Sequence, residues 1–178
     1  MNKLRNCVQS GLKFNSNFTK LGKSHWRQPE TIPGFLECKK ASENMTWQDC
    51  INVTGLNPDE CFNEELSTHV IYEMNKVRIM LIFFKGGVTV PIHDHESMVV
   101  FCKCIKGKIG VDYWDYNKSL DDVKKHIKTQ DYENLKMNGV PVSFNGSFEM
   151  EEGKLDIIKP FENNLHRFRP QKNSVILD

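Results

Sequence analysis

The chain has 178 residues, of which 39% are hydrophobic, and this favours one domain with its own core over two. A net charge of +1, without a basic stretch among aromatic residues, argues against nucleic-acid binding. No run approaches the roughly 18 consecutive apolar residues that span a bilayer, and the N-terminus lacks the apolar core of a secretory signal. We therefore expect a soluble monomer with a small or neutral partner and no nucleic-acid or membrane partner.

The cysteines and the N-terminal charges bear on where the protein resides. Six cysteines are scattered along the chain without C-x-x-C pairs, which favours reduced thiols in a reducing compartment. Residues 1–29 contain Lys and Arg but no Asp or Glu, as organelle transit segments do. The same residues are rich in Asn and include only two Arg, which favours a basic helical or disordered extension. We expect a cytoplasmic location, with mitochondria as the minor alternative.

The first part of the chain, residues 1–65, mixes helix-like stretches with breaks. The segments 8–14 and 46–53 have helical patterns, and Thr46 is a suitable N-cap for the second. The breaks are Pro29, Pro33, Gly34, Gly55 and Pro58. We predict an N-terminal extension of short helices and loops that packs on the main domain.

The second part, residues 66–178, is rich in short β-prone runs separated by glycine turns, as in an antiparallel sandwich or barrel. Strands are predicted at 77–84, 88–93, 99–105, 109–114, 155–158 and 174–177. Gly86-Gly87 and Gly107 are predicted turns. The polar segment 117–153, with a candidate helix around 120–135, is interpreted as an insertion between two halves of a barrel.

Two histidines, His93 and His95, are separated by one residue in this β-prone region. Because side chains alternate between the faces of a strand, both imidazoles are predicted to point the same way, and Asp94 the opposite way, in a structural or surface role. Two imidazoles on one face can take adjacent positions on a transition metal. An H-x-H pair also occurs by chance on polar strand faces, so the pair alone leaves a metal role open.

The residues around this pair have the spacing of the first cupin motif. Gly87 precedes His93 with five residues between them, and Gly107 closes the following strand. The stretch 87–107 therefore resembles a cupin, which implies a mainly β fold, the double-stranded β-helix or jelly-roll barrel. Many cupins have a glutamate ligand where this chain has Val100. A bound metal would then be held by neutral ligands.

The remaining histidines compete to be the third ligand. His25 lies in the basic extension and His126 in the charged insertion, so both are expected at the surface. His69 lies at the start of the first barrel strand, where a structural role is expected. His166 lies in a turn followed by a strand, where the second cupin motif would fall. Cys102 and Cys104, which share a strand face, are expected to pack as small buried apolar residues.

Further motifs narrow the resemblance to one family. They are Pro-Ile-His-Asp-His-x-x-Met at 91–98, Gly107, Asn-Leu-His-Arg-Phe at 164–168 and Val-Ile-Leu-Asp at 175–178. The chain thereby resembles the thiol dioxygenases that include cysteamine (2-aminoethanethiol) dioxygenase and the plant cysteine oxidases, over roughly residues 68–116 and 154–178. The resemblance implies one Fe(II) held by His93, His95 and His166. It also implies a catalytic, supporting carboxyl at Asp178 that does not bind the metal.

The chain departs from the pattern of that family in three places. Glu96-Ser97 stand where the family has Pro-Gly, and Glu162-Asn163 stand where it has paired glycines, although Asn can still adopt a left-handed turn. The family also continues beyond the strand that ends at Asp178 with a tyrosine-bearing segment. We therefore expect the barrel at 66–178 to be truncated at its C-terminal end.

The resemblance implies an enzyme that adds O2 to the sulfur of cysteamine or of a protein N-terminal cysteine to give a sulfinic acid. With the second substrate it would act as an oxygen sensor. Three neutral imidazoles leave Fe(II) its full charge, which favours a bound thiolate and lowers the thiol pKa. Two alternatives stay open: a non-catalytic cupin that binds a metal or small ligand, and a cupin enzyme of another reaction class that uses zinc, manganese or nickel.

Overall fold

The computed structural model describes residues 3–22, 24–95, 97–116 and 142–178. Within these ranges the chain forms three α-helices and eight β-strands. The helices are α1 (Lys3–Leu21), α2 (Phe35–Asn44) and α3 (Trp47–Thr54), and the strands are β1 (Leu66–Met74), β2 (Val77–Phe84), β3 (Val100–Lys106), β4 (Lys108–Tyr116), β5 (Val142–Glu151), β6 (Leu155–Ile158), β7 (Leu165–Pro170) and β8 (Ser174–Leu177). None of the described helices combines the length and the apolar character that a membrane crossing requires.

The strands form two antiparallel sheets, so the prediction of a mainly β fold is confirmed. The five-stranded sheet has the order β1-β2-β8-β3-β6, and the three-stranded sheet has the order β5-β4-β7. Because side chains alternate along a strand, each sheet turns one face toward the other and fills the space between them. This interior core includes Phe84 of β2, Cys104 of β3, Val111 of β4, Phe168 of β7 and Ile176 of β8.

The helices cover the outer face of the five-stranded sheet. Phe14 of α1 and Phe35 of α2 pack against Phe101 of β3, with edge-to-face or tilted rings 5.3 to 6.0 Å apart. Lys103 also points to this side, and its Nζ donates to the carbonyl oxygens of Glu43 and Met45 over 2.5 and 2.7 Å. These carbonyls lie at the C-terminal end of α2, where a cation is favoured by the helix dipole. The N-terminal helices are thus attached to the barrel wall.

Most of the predicted strands are confirmed. The segments 77–84, 99–105, 109–114, 155–158 and 174–177 correspond to β2, β3, β4, β6 and β8. The predicted turn at Gly107 is also confirmed, with φ at +98°. A Cβ at Gly107 would collide with Ser174 and would lie 2.7 Å from the carbonyl oxygen of Asn173, so the turn needs glycine for space as well as for conformation.

The helix predicted at 46–53 is confirmed as α3. Thr46 accepts a hydrogen bond from the Asp49 N–H at 3.2 Å, and the Asp49 carboxylate accepts one from the Thr46 N–H at 2.9 Å. This reciprocal capping box satisfies two backbone donors at the helix start. The helix predicted at 8–14 forms the middle of α1, which is longer at both ends.

Two predictions of secondary structure are wrong. Residues 88–92 form no strand, although Gly87 and Val90 donate backbone hydrogen bonds to Pro170 and Phe168 of β7. The donors Gly87, Val90 and His93 are three residues apart whereas their acceptors on β7 are two apart, so this segment does not match the register of a regular strand.

The predicted insertion at 117–153 is wrong at its C-terminal end, because Val142–Glu151 forms β5 and pairs with β4. Most of β5 is exposed, and only Met150 is buried, so the polar composition concealed the strand. Residues 117–141, with the candidate helix at 120–135, lie outside the described residues.

Candidate metal centre

Two backbone hydrogen bonds join His93 to His166, which are far apart in the sequence. The His93 N–H donates to the His166 carbonyl oxygen over 3.0 Å, and the His166 N–H donates to the His93 carbonyl oxygen over 2.9 Å. His166 lies in β7, at the edge of the three-stranded sheet. An isolated bridge at His93 therefore attaches the irregular segment after β2 to that edge.

Further hydrogen bonds orient the imidazole rings of the same two histidines. The Nδ1 atom of His93 lies 2.9 Å from the Pro91 carbonyl oxygen, and the Nδ1 atom of His166 lies 2.9 Å from the Asn164 carbonyl oxygen. A carbonyl oxygen can only accept, so each Nδ1 carries the ring proton and donates it. The Nε2 atom of each ring then has a free lone pair, which is the form that binds metals.

His95 is positioned through the side chain of Asn164. The His95 N–H donates to the Asn164 Oδ1 atom over 2.7 Å, and the Asn164 Nδ2 atom donates to the His95 carbonyl oxygen at 3.3 Å. The same Nδ2 atom donates to the Pro160 carbonyl oxygen at 3.1 Å. Asn164 is buried, and these bonds satisfy its amide. It thus connects the loop that carries His95 to the segment before His166, a role that the motif did not reveal.

The three rings converge inside the barrel. One ligand nitrogen from each of His93, His95 and His166 lies within 4.8 Å of the others. The predicted proximity of His93 and His95 is therefore confirmed, although it comes from a bridge and a loop instead of a regular strand. The predicted third member, His166, lies opposite Tyr113 of β4 and is fully buried.

The electrostatic state of the rings suits a metal ion. Burial lowers the pKa of His166 to about 3, and burial with the neighbouring His93 lowers the pKa of His95. Both rings are therefore neutral at pH 7. The His166 Nε2 atom is buried without a hydrogen-bond partner among the described residues. An unsatisfied buried acceptor is costly, so the three imidazoles fit a divalent transition metal that would take up this lone pair.

The other candidate residues do not belong to this group of three histidines. His25 follows α1, where its Nδ1 atom is 3.1 Å from the Leu21 carbonyl oxygen, and His69 of β1 pairs with Leu81 of β2. His126 lies outside the described residues. Asp94 accepts a hydrogen bond from the Tyr116 hydroxyl over 2.9 Å. Cys102 and Cys104 are fully buried in the interior core, as their apolar interpretation predicted.

Asp178 follows β8 and exchanges backbone hydrogen bonds of 2.9 Å with Met80 of β2. Its carboxyl is next to the Cys102 thiol in the barrel interior. Burial raises the pKa of Asp178 to about 6, against the opposing influence of Cys102 and His93. Its Oδ1 atom is buried and, like the His166 Nε2 atom, has no hydrogen-bond partner among the described residues.

A second acidic group in the interior was missed by the sequence reasoning. Tyr113 of β4 donates its hydroxyl hydrogen to the Oδ2 atom of Asp156 on β6, which belongs to the facing sheet. The Tyr113 ring lies 6.3 Å from the His166 ring, centroid to centroid. Burial raises the pKa of both Tyr113 and Asp156. The alternation of β4 could have placed Tyr113 inside the barrel, but its partner is set by the packing of the two sheets.

Comparison with known proteins bears out the resemblance. The family model PCO_ADO matches residues 37–178, which is most of the chain. The chain therefore belongs to the PCO_ADO family, the cupin-type thiol dioxygenases. The cupin barrel predicted from the first histidine motif is confirmed with it.

One curated relative is a probable 2-aminoethanethiol dioxygenase of Dictyostelium discoideum, 28% identical over 109 residues. The match covers 61% of this chain and 45% of that protein, so the chain spans less than half of the relative's length.

Solved structures with similar folds are more distant. Hydroquinone 1,2-dioxygenase PnpCD has a TM-score of 0.43 at 13% identity, over 61% of this chain and 59% of that one. A cupin-2 domain protein of Shewanella frigidimarina has a TM-score of 0.43 at 13% identity, over 76% and 91%. A cupin superfamily protein of Desulfitobacterium hafniense has a TM-score of 0.41 at 9% identity, over 65% and 74%. Likeness at this level supports no conclusion about chemistry.

Proposed function

We propose that the protein is an Fe(II)-dependent thiol dioxygenase, with one iron held by His93, His95 and His166. The observation that carries this proposal is the convergence of three imidazoles inside the barrel, with the buried Nε2 atom of His166 left without a hydrogen-bond partner among the described residues. Membership of the thiol dioxygenase family supports the reaction. The reaction joins O2 to the sulfur of a thiol and gives a sulfinic acid, without an external reductant.

Residues around the proposed iron site orient its histidine ligands and exclude water. When bound, Fe(II) would bring the thiol sulfur and O2 together on one ion and favour the thiolate over the thiol. The carbonyl oxygens of Pro91 and Asn164 hold the Nδ1 protons of His93 and His166, and so keep the Nε2 atoms directed into the barrel. Apolar core residues such as Phe168, whose ring is 4.9 Å from that of His166, exclude water from the same space.

Asp178 is proposed to take the proton that the thiol loses when it becomes a thiolate. The S–H bond breaks, the electron pair remains on sulfur, and the proton passes to the Oδ1 atom of Asp178. Support comes from the lack of a hydrogen-bond partner for this atom among the described residues, and from burial, which raises the pKa of Asp178 to about 6. A carboxyl with this pKa is mostly ionised at pH 7 and is a stronger base than an exposed aspartate.

The substrate proposed first is a small aminothiol, cysteamine, which is the substrate in the name of the Dictyostelium relative. A protein N-terminal cysteine has the same reacting fragment, a thiol two carbons from an amine. With that substrate the protein would act as an oxygen sensor. We further propose a monomer in the cytoplasm, with mitochondria as the second location. All six cysteines are free thiols, which fits a reducing compartment.

Replacing His166 with Ala is expected to abolish tight iron binding. The wild-type protein should bind one Fe(II) per chain in anaerobic titration, because three imidazoles then satisfy one ion. Loss of one of them should weaken binding by about a hundredfold or more, since changes even beyond the ligands cost 10–100-fold. The matched control is His69→Ala on β1, which should bind iron as the wild type does. Unchanged iron binding by the His166→Ala protein would remove His166 from the site.

Oxygen consumption tests the proposed reaction directly. Anaerobically Fe(II)-loaded protein is offered cysteamine, free cysteine and a peptide that begins with cysteine, and O2 uptake is followed with an electrode. Uptake of one O2 per thiol with at least one of them is expected, because both oxygen atoms pass to sulfur. The His166→Ala protein serves as the blank. No uptake with iron bound would contradict the dioxygenase and favour the non-catalytic, metal-binding cupin.

Replacing Asp178 with Asn should lower kcat/KM for the thiol by about 10²- to 10⁴-fold, the usual contribution of a positioned base. The amide has nearly the same shape but cannot take the proton. Iron content should remain at one per chain, since Asp178 is not proposed as a ligand. Asp59→Asn, at an exposed position before β1, is the control for loss of one negative charge. A kcat/KM within threefold of the wild-type value would contradict the role of Asp178 as the base that takes the thiol proton.

A further inference from the structure

Tyr113 connects the two sheets across the barrel interior. Tyr113 lies on β4 and pairs with His166 on the neighbouring strand β7. Its hydroxyl donates to the carboxylate of Asp156 on β6 of the other sheet. Asp156 is in turn opposite Cys102 on β3, the residue whose thiol lies next to Asp178. The wall that faces the histidines across the barrel therefore has two carboxyl groups, with Cys102 between them.

Neither of these two carboxyl groups has a cationic partner in the part of the chain that the structure describes. Among the described residues neither Asp156 nor Asp178 takes part in a salt bridge; by contrast Asp112, on the outer face of the three-stranded sheet, binds the guanidinium groups of Arg167 and Arg169. Asp156 accepts from the Tyr113 hydroxyl and from the backbone N–H of Ile157, which orients the carboxylate without neutralising it. A carboxylate withdrawn from water and not paired with a cation is costly. A ligand that brings a positive charge into the interior would recover that cost.

Asp156 is also partly accessible to a ligand. Its side chain is half-buried, whereas Cys102 and Ile158 beside it are almost completely buried. Ile158, two residues later on the same strand face, belongs to the interior core, so the Asp156 side chain is directed to the interior as well. Its hydrogen bond with Tyr113, whose ring lies 6.3 Å from the His166 ring, brings it close to the histidines across the barrel.

We propose that Asp156, held in place by Tyr113, binds the ammonium group of the substrate and selects amine-bearing thiols over neutral thiols. The inference rests on the proposed function, since the substrate sulfur is to be held at the three histidines. Asp178 would then receive the thiol proton while Asp156 receives the cation. A thiol with a hydroxyl in place of the ammonium gains no charge-assisted hydrogen bond there and leaves the carboxylate unpaired. A thiol with an added negative charge is repelled.

The test compares the affinities of two thiols that differ only in this group. Cysteamine and 2-mercaptoethanol are titrated calorimetrically into the Fe(II)-loaded protein without O2, so that binding is measured and no turnover occurs. The wild-type protein is expected to bind cysteamine about 10- to 100-fold more tightly than 2-mercaptoethanol, as a hydrogen bond between charged groups allows. In the Asp156→Asn protein the Kd values of 2-mercaptoethanol and cysteamine should differ by no more than about threefold. Equal Kd values in the wild type, or an unchanged ratio in the variant, would overturn the proposal.

Two further variants serve as a control for charge and as a second test of the Tyr113–Asp156 pair. Glu149→Gln, on exposed β5, removes one negative charge away from the interior and should keep the wild-type ratio. Tyr113→Phe keeps the Asp156 carboxylate but removes the hydroxyl that holds it. This variant should lower the ratio of the Kd of 2-mercaptoethanol to that of cysteamine about three- to tenfold. It replaces Asp156→Asn as the test if that protein does not fold. A wild-type ratio in the Tyr113→Phe protein would then overturn the proposed role of the pair.

Admission of O2 to the same samples distinguishes failure of the dioxygenase function from failure of substrate selection by Asp156. If the wild-type protein consumes O2 with both thiols but the Kd ratio does not depend on Asp156, the dioxygenase stands and the selection by Asp156 fails. If the Kd ratio depends on Asp156 but no O2 is consumed, the binding role stands and the catalytic function fails.

Discussion

Two backbone hydrogen bonds between His93 and His166 decide where the side chains of the barrel interior meet. They attach the irregular segment after β2 to the edge of the three-stranded sheet, so that residues from two distant parts of the chain lie side by side. Asn164 then holds the loop of His95 against the segment before β7. Because these contacts involve the backbone of His93, His95 and His166, the fold itself positions the three rings.

The barrel interior is divided into two chemically different walls. The histidine side offers neutral nitrogen atoms, since burial keeps His95 and His166 unprotonated. The opposite side offers carboxyl groups, Asp156 and Asp178, which have no cationic partner among the described residues. A cation is therefore favoured in the space between these walls, and the occupants that we propose are a metal ion at the histidines and the ammonium group of an aminothiol. The apolar core around them strengthens both interactions by excluding water.

The sequence predicted the barrel and the histidine cluster because both depend on local signals. The strands are short β-prone runs separated by turns, Gly107 is required by its left-handed turn, and the motifs around His93, His95 and His166 resemble those of a known family. Predictions failed where tertiary contacts decide. β5 is mostly exposed and looks like an insertion. The segment 88–93 resembles a strand, but its hydrogen bonds to β7 come from residues three apart and do not form a regular ladder. The hydrogen bond from Tyr113 to Asp156 joins the two sheets, so it depends on how the sheets pack and cannot be predicted from the sequence around either residue.

Isotopic labelling tests the central claim that three histidines make this barrel a place where O2 is joined to a thiol. The Fe(II)-loaded protein would oxidise its best thiol substrate under ¹⁸O2, and mass spectrometry would count the heavy atoms in the product. Incorporation of both ¹⁸O atoms into a sulfinic acid is the predicted result, because the oxidant and the sulfur share one site. A disulfide with no label, formed while O2 is consumed, would show an oxidase and contradict this account.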